Sequence, residues 1–262
     1  MRAGLLAGPS ILSFSPIYFR REWGIGYQQI APSRIEDVPG LISELGWQGF
    51  NVTTPYKETI LHFVSHLRHP VDKIQAANTI VIEPDGSWTA YNTDYEAARD
   101  LLTSYMEVYG SWEEVWVLGT GGAARAVAWA HAELFPQKTL YFFSREAGKA
   151  IPFPHPHEVF GYESAPSLLT DKRKLIIQAT PLGGYPSPQV MPPLPLSAIQ
   201  PQDIVWDLIY NINPTIFLQE ARKKGCSIES GMALFKRQAQ KSLDYWFSAY
   251  KARQKTLSSR KA

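Results

Sequence analysis

Short apolar runs recur along the chain, each closed by a polar or glycine turn and followed by apolar residues at three- and four-residue spacing. The runs predict strands over 3–7, 49–53, 78–83, 114–118, 140–144, 174–178 and 204–207. The spaced patterns predict helices over 35–45, 57–67, 94–109, 122–134, 215–224 and 232–251. Alternation of strand and helix argues for an α/β chain with parallel sheets. One predicted helix has an awkward start. In NVTTPYKE, residues 51–58, Thr54 reads as the N-cap and Pro55 as the first helical residue. Lys57 then falls in the first turn, where unpaired N–H groups already make the helix end positive.

Three stretches break the pattern. Residues 151–167 are rich in Pro and His and read as irregular chain where a helix could stand. Residues 181–202 are Pro-rich and read as a surface loop. The polar end over 256–262 is expected to fray.

Composition narrows the class. The 262 residues are 45% hydrophobic, which makes the chain globular and long enough for one large or two modest domains. A net charge of +2 without a basic run gives no argument for nucleic acid. No stretch approaches the ~20 apolar residues of a membrane span. The start, MRAGLLAGPSIL, reads as a first buried strand rather than a secretory signal, because Gly-Pro interrupts a short apolar core. The single cysteine, Cys226, allows no internal disulfide and fits a cytoplasmic protein.

The clearest chemistry lies at VWVLGTGGAARA, residues 115–126. An apolar strand meets glycines and then an alanine-rich helix, the layout of a nucleotide-binding βα turn. Gly119 permits the tight turn. Gly121 and Gly122 let a backbone reach a pyrophosphate at the helix N-terminus. The next strand, LYFFSRE, ends in Ser144 and Arg145 rather than in an acidic residue that would hold ribose hydroxyls. An arginine there accommodates a 2′-phosphate, so NADP is expected rather than NAD.

Short hydroxyl and amide side chains gather at the ends of strands in the first half: Ser13 and Ser15, Asn51 and Thr53, Asn78 and Thr79, and Asn92, Thr93 and Asp94. Taken singly, each reads as a cap or turn residue. Their order and combination with the glycine turn resemble the shikimate dehydrogenase family. The matching motifs are SFSP, NVTTPYKE, AANT, YNTD, GTGGAARA, FSR, ATPLG, DLIYN and the spacing G-x6-Q-x7-W, and they run over nearly the whole length. The details resemble a compact bacterial branch of that family.

The resemblance implies a two-domain α/β fold with a cleft between the domains. Residues 1–94 with 232–262 would form a discontinuous substrate domain, and residues 95–231 a Rossmann-like NADP-binding domain. It implies reversible NADPH-dependent reduction of 3-dehydroshikimate to shikimate, a step of chorismate and aromatic amino acid biosynthesis, by a metal-free cytoplasmic enzyme, monomer or homodimer. Lys57 and Asp94 would be the catalytic pair. Ser13, Ser15, Thr53, Asn78, Tyr210 and Gln238 would join them in binding substrate, with the two serines at its carboxylate. Gly119, Thr120, Gly121, Gly122 and Ala123 would hold the pyrophosphate, Ser144 and Arg145 the 2′-phosphate, and Leu208 and Gly231 would touch the nicotinamide end. The chain departs from the family at Leu12, Tyr95, Gln178 and Gly184, none of which removes a catalytic group.

Two alternatives remain: a quinate or dual-specificity dehydrogenase, and a catalytically silent NADP-binding regulator, against which the intact Lys57 and Asp94 argue. His62, His66 and His69 fall at i, i+4 and i+7 of the helix expected over 57–67, a face that could bind zinc. No cysteine or carboxylate completes such a site nearby. Cys226 reads as a small apolar residue.

Overall fold

The structure, a computed structural model, describes residues 1–168 and 171–259. The chain folds as two compact units, Met1–Thr93 with Gln238–Ala262, and Asp94–Arg237.

The first unit carries strands β1 (Arg2–Leu6), β2 (Gly26–Ile30), β3 (Gly49–Val52), β4 (His66–Leu67), β5 (Thr79–Ile82) and β6 (Trp88–Tyr91), in the order β2-β1-β3-β5-β6-β4. Its helices are α1 (Ser15–Trp23), α2 (Val38–Leu45) and α3 (Val71–Ile74). The sheet is mixed. β1 runs parallel to β2 and β3, whereas β5 is antiparallel to both β3 and β6. The β5–β6 reversal is made by the turn Pro84-Asp85-Gly86-Ser87. Gly86 sits at φ +91°, and Asp85 Oδ1 accepts the Ser87 N–H at 2.9 Å. Apolar residues cover both faces. Leu6, Phe50, Val52 and Ile80 pack with Ile42 and Trp47 in one cluster, and Ala3, Leu5 and Tyr27 pack with Phe19 and Trp246 in the other. Trp246 anchors the returning C-terminal segment: it is fully buried and its Nε1 donates to the Ile80 carbonyl at 2.9 Å.

The helix expected over 57–67 does not form. Residues 54–58 make turns, a 3-10 segment follows at Thr59–Phe63, and Val64 is extended. The competing partner is β6. Ser65 and Arg68 donate their N–H groups to the Trp88 and Ala90 carbonyls at 2.8 and 3.0 Å, and β4 lies parallel beside β6. Sheet pairing thus takes the hydrogen bonds that a helix would have closed. His62, His66 and His69 consequently share no helical face, and among the described residues no group of three or more His, Cys, Asp or Glu side chains could hold a metal.

The second unit is an all-parallel sheet of β7 (Glu114–Leu118), β8 (Thr139–Ser144), β9 (Glu158–Gly161), β10 (Lys174–Gln178), β11 (Ile204–Asp207) and β12 (Ser227–Ser230). The order is β12-β11-β10-β7-β8-β9. Its helices are α4, which begins at the unit boundary (Thr93–Tyr109), α5 (Gly122–Leu134) and α6 (Ile216–Lys223). β7, β10 and β11 are buried on both faces, as their unbroken apolar runs require. The stretch over 151–167 is less irregular than expected, because it supplies β9 and a 3-10 segment, Tyr162–Leu168. No helix stands between β8 and β9. In its place Phe153, His155 and His157 lay their rings against Trp129 and Phe142 at 4.9–6.0 Å. A last helix, α7 (Met232–Ser259), extends beyond the expected end at residue 251. Of the polar end, residues 260–262 lie outside the described residues. No helix among those described is long and apolar enough to cross a membrane.

Candidate active site

In the first unit, three chain segments meet at the ends of β1, β3 and β5. Ser15 opens α1, with Pro16 in its first turn. Ser13 Oγ accepts the Ser15 N–H at 3.1 Å and donates to Ser15 Oγ at 3.0 Å, so the two hydroxyls form one pair. The turn after β3 is tied to β1 by the Thr53 N–H on the Leu6 carbonyl and by the Gly8 N–H on the Thr54 carbonyl, both 3.0 Å. Lys57, half-buried, accepts the Ala77 N–H on its own carbonyl at 2.8 Å. That bond fixes the lysine's turn one residue away from Asn78. Because no α-helix begins at Pro55, Lys57 does not stand on a helix dipole, and that part of the expected electrostatics falls away.

Asn78 is buried and hydrogen-bonded at both ends of its amide. Its Oδ1 accepts the Thr93 N–H at 2.7 Å, and its Nδ2 donates to Thr93 Oγ1 at 3.0 Å and, at the long distance of 3.5 Å, to Gln238 Oε1. The amide thereby caps the N-terminus of α4, occupying a donor that the first helical turn leaves unpaired. Beneath it Asn51, Thr79 and Thr93, each named singly in the sequence, join Ser242 and Tyr27 in one network. Thr79 Oγ1 and Ser242 Oγ lie 2.8 Å apart, and each also meets Thr93 Oγ1, at 3.1 and 3.2 Å. Asn51 donates to Thr79 Oγ1 and Ser242 Oγ at 3.0 and 2.9 Å and accepts from Tyr27 Oη at 2.9 Å. Asn51 shares a strand side with Thr53, yet it belongs to this interior scaffold. Satisfied networks of this kind rigidify what they carry. Here they carry Asn78 and, one helical turn before Ser242, Gln238.

Asp94 opens the second unit in the first turn of α4. It is buried, at the helix end that suits a carboxylate. The glycine turn follows β7. Gly119 has φ +106°, and a Cβ there would stand 3.2 Å from Thr180 Cγ2, so a side chain would be strained by the backbone and crowded as well. Gly121 precedes α5 in extended conformation, is exposed, and has open space where a Cβ would be. That open space lies at the start of a 13-residue helix, beside Thr120, Gly122 and Ala123, a position whose unpaired N–H groups suit a pyrophosphate. Ser144, at the end of β8, accepts the Glu146 N–H on Oγ at 3.2 Å and keeps its own proton to donate. Arg145 beside it is exposed, as is Lys149, a second cation in the same turn.

Leu208 and Gly231 lie together. The Leu208 N–H donates to the Gln178 carbonyl at 2.9 Å, the Gly231 N–H donates to the Ile209 carbonyl at 3.1 Å, and a Cβ on Gly231 would overlap Leu208 O at 2.0 Å. Only glycine permits that approach. Tyr210 stacks on Phe235 with centroids 4.4 Å apart. A buried brace holds this corner. Asp207 accepts the Ile209 N–H at 3.0 Å and the Thr215 hydroxyl at 2.6 Å, and Gln178 Nε2 lies 3.5 Å away. Burial without a cationic partner pushes the Asp207 carboxyl up to about 6, although the two hydrogen bonds pull it down. Gln178 donates onward to the Leu182 carbonyl at 2.9 Å, so the brace also sets the ATPLG loop.

The expected site residues therefore divide by unit. Ser13, Ser15, Thr53, Lys57, Asn78 and Gln238 belong to the first, and Asp94, the glycine turn, Ser144, Arg145, Leu208, Tyr210 and Gly231 to the second.

Comparison with known proteins adds relatives. The Shikimate dehydrogenase substrate binding domain family matches residues 11–80. The chain is similar to the shikimate dehydrogenase (NADP(+)) of Methanocaldococcus jannaschii, with 32% identity covering 93% of this chain and 90% of that one. The corresponding enzyme of Methanococcus aeolicus is 30% identical over the same shares. The crystal structure of shikimate 5-dehydrogenase from Thermus thermophilus, in complex with NADP(H) and shikimate, superposes with a TM-score of 0.76 at 25% identity, covering 94% of this chain and 93% of that one.

Proposed function

The chain belongs to the shikimate dehydrogenase family, and we propose that it interconverts 3-dehydroshikimate and shikimate with Lys57 and Asp94 as its acid–base pair. It is an NADP-dependent oxidoreductase acting on a CH–OH group. The cofactor supplies hydride at the nicotinamide. The chain's own residues hold the substrate and manage the proton.

The observation that carries this reading is the Lys57–Ala77 main-chain bond of 2.8 Å. It joins the lysine's turn to the buried amide–hydroxyl network that holds Asn78 and Gln238. In this reading the Lys57 ammonium serves alongside fixed neutral donors and acceptors, a combination that suits a polyhydroxy ketone. Lys57 offers the carbonyl oxygen a positive charge and then a proton as that oxygen becomes an alkoxide. In the reverse direction its neutral amine takes the proton from the alcohol. Asp94 orients the ammonium and accepts from a ring hydroxyl. Asn78 and Gln238 bond the remaining ring hydroxyls, and the Ser13–Ser15 pair, at the N-terminus of α1, meets the substrate carboxylate. Thr53 and Tyr210 complete the substrate contacts. Residues 119–123 hold the pyrophosphate, Ser144 and Arg145 the 2′-phosphate, and Leu208 and Gly231 border the nicotinamide.

The deciding measurement is Lys57→Ala, with turnover and shikimate binding determined separately. Turnover should fall by about a hundredfold or more while binding is largely kept, in line with the usual worth of a general acid–base group. Unchanged turnover would end the assignment. Running shikimate against quinate, and NADP against NAD, in the same assay fixes the substrate and cofactor preference.

A further inference from the structure

Asp94 is bracketed in sequence by two residues whose polar groups are committed elsewhere. On one side the Thr93 N–H donates to Asn78 Oδ1 at 2.7 Å. On the other, Tyr95 is 4% exposed and its hydroxyl donates to Glu133 Oε2 on α5. The second oxygen of Glu133 accepts from Trp129 Nε1 at 2.9 Å, one turn earlier on the same helix. Arg99, one turn along α4, gives Nη1 to the tyrosine oxygen at 3.4 Å and sets its guanidinium 5.8 Å above the ring. The indole of Trp129 is in turn fixed by Phe153 and His155, with centroids at 6.0 and 4.9 Å.

We propose that Tyr95 is a positioning residue that sets the direction of Asp94 through its bond to Glu133. The inference rests on the reading of Asp94 as a member of the acid–base pair. The physical argument concerns the first turn of a helix. Asn78 accepts the Thr93 N–H, but the N–H groups that follow it lack intrahelical acceptors, so the first turn is the part of α4 held least by the helix's own bonds. Successive helical residues point about 100° apart around the axis. Locking the Tyr95 side chain against α5 therefore fixes the azimuth of the preceding residue as well. A charge-assisted bond to a half-buried carboxylate, with that carboxylate held at both oxygens, is a firm anchor for the purpose. Burial and the neighbouring Glu133 push the Tyr95 hydroxyl up to about 12, so it remains a donor at any working pH.

The test compares Tyr95→Phe, Glu133→Ala, the double variant and Asp94→Asn, reading kcat, shikimate KM, the NADP dissociation constant and Tm. Tyr95→Phe and Glu133→Ala should each lower kcat by about tenfold or more, as small misplacements of a reacting group do. NADP affinity should stay within about twofold, and the double variant should be no worse than Glu133→Ala alone, since both remove one bond. A Tyr95→Phe protein with normal kcat, or with only a lowered Tm, overturns the proposal while Asp94→Asn remains defective. Normal turnover in Asp94→Asn overturns instead the catalytic reading on which it stands.

Discussion

Replacing Asp207 by asparagine should change how stability depends on pH, and by a calculable amount. Its carboxyl stands at about 6 instead of the ordinary 3.8, because it is buried without a cation. A raised carboxyl binds its proton more tightly folded than unfolded. Its contribution is fully present below 3.8 and is lost as pH rises through about 6. Roughly two pH units at about 1.4 kcal/mol each make about 3 kcal/mol. His131 works in the opposite sense. It is buried, accepts from Trp112 Nε1 at 3.0 Å, and burial pushes its imidazole down from 6.5 to about 3. Its contribution is present above 6.5 and is lost as pH falls toward 3. Between about pH 4 and 6 the two slopes cancel, and Asp207→Asn exposes the histidine's. Asparagine keeps the geometry: its oxygen can accept from Ile209 N–H and its amide can donate to Thr215 Oγ1. Because the chain has two units, the measurement should be local, following hydrogen exchange of β10 and β11 amides in urea from pH 4 to 7.5. The stability of the variant relative to the parent should rise by about 3 kcal/mol between pH 4 and pH 7. A difference that stays constant across that range would refute the argument.

Gly49→Ala should destabilise the first unit by about 1–3 kcal/mol or more, the cost of overpacking, since its Cβ would stand 2.1 Å from Trp246 Cδ1. Gly40→Ala, with nothing within 4 Å, should be neutral or stabilising by up to about 1 kcal/mol, and equal urea midpoints for the two would contradict the packing. Arg145→Gln should raise KM for NADPH by about tenfold and leave KM for NADH unchanged, the worth of one charge-assisted contact. A parallel loss with both cofactors would remove Arg145 from the 2′-phosphate.

The parts legible in sequence were those whose signal is local. β7, β10, β11 and α5 follow from unbroken apolar runs, the glycine turn and an alanine-rich helix, and their ends fall as expected. The edge strands β2 and β12 read GYQQI and SIES and carry no apolar run, because an edge needs none. β6 follows Pro84-Asp85-Gly86, a turn signal, and carries no long apolar run of its own. The helix over 57–67 was a false reading of period. Ile60, Leu61 and Phe63 fit a helical face, yet they pack in a 3-10 segment because β6 competes for the backbone. Asn51, Thr79 and Thr93 stood out in the sequence, but their joining through Ser242 was not legible, since Ser242 lies 191 residues from Asn51 and looks like any serine in an amphipathic helix. The Tyr95–Glu133 bond was hidden for the same reason.

That network changes how substitutions at the site must be interpreted. Under the proposed reading Asn78 carries two duties, because the amide that would meet substrate also accepts the Thr93 N–H at the start of the helix that bears Asp94. Removing it would delete the proposed ligand and free the helix start at once, so lost turnover in an Asn78 variant would not measure a substrate hydrogen bond. Gln238 is different. Its side-chain oxygen meets Asn78 and Thr93 only at 3.5 and 3.4 Å, near the limit of a useful bond, whereas the helix beneath is held by Ser242 through the Gln238 carbonyl at 2.9 Å. Its side chain can exchange those long contacts for a substrate hydroxyl without disturbing the scaffold. Binding energy at this site is therefore best apportioned from Gln238, with Asn78 treated as part of the frame.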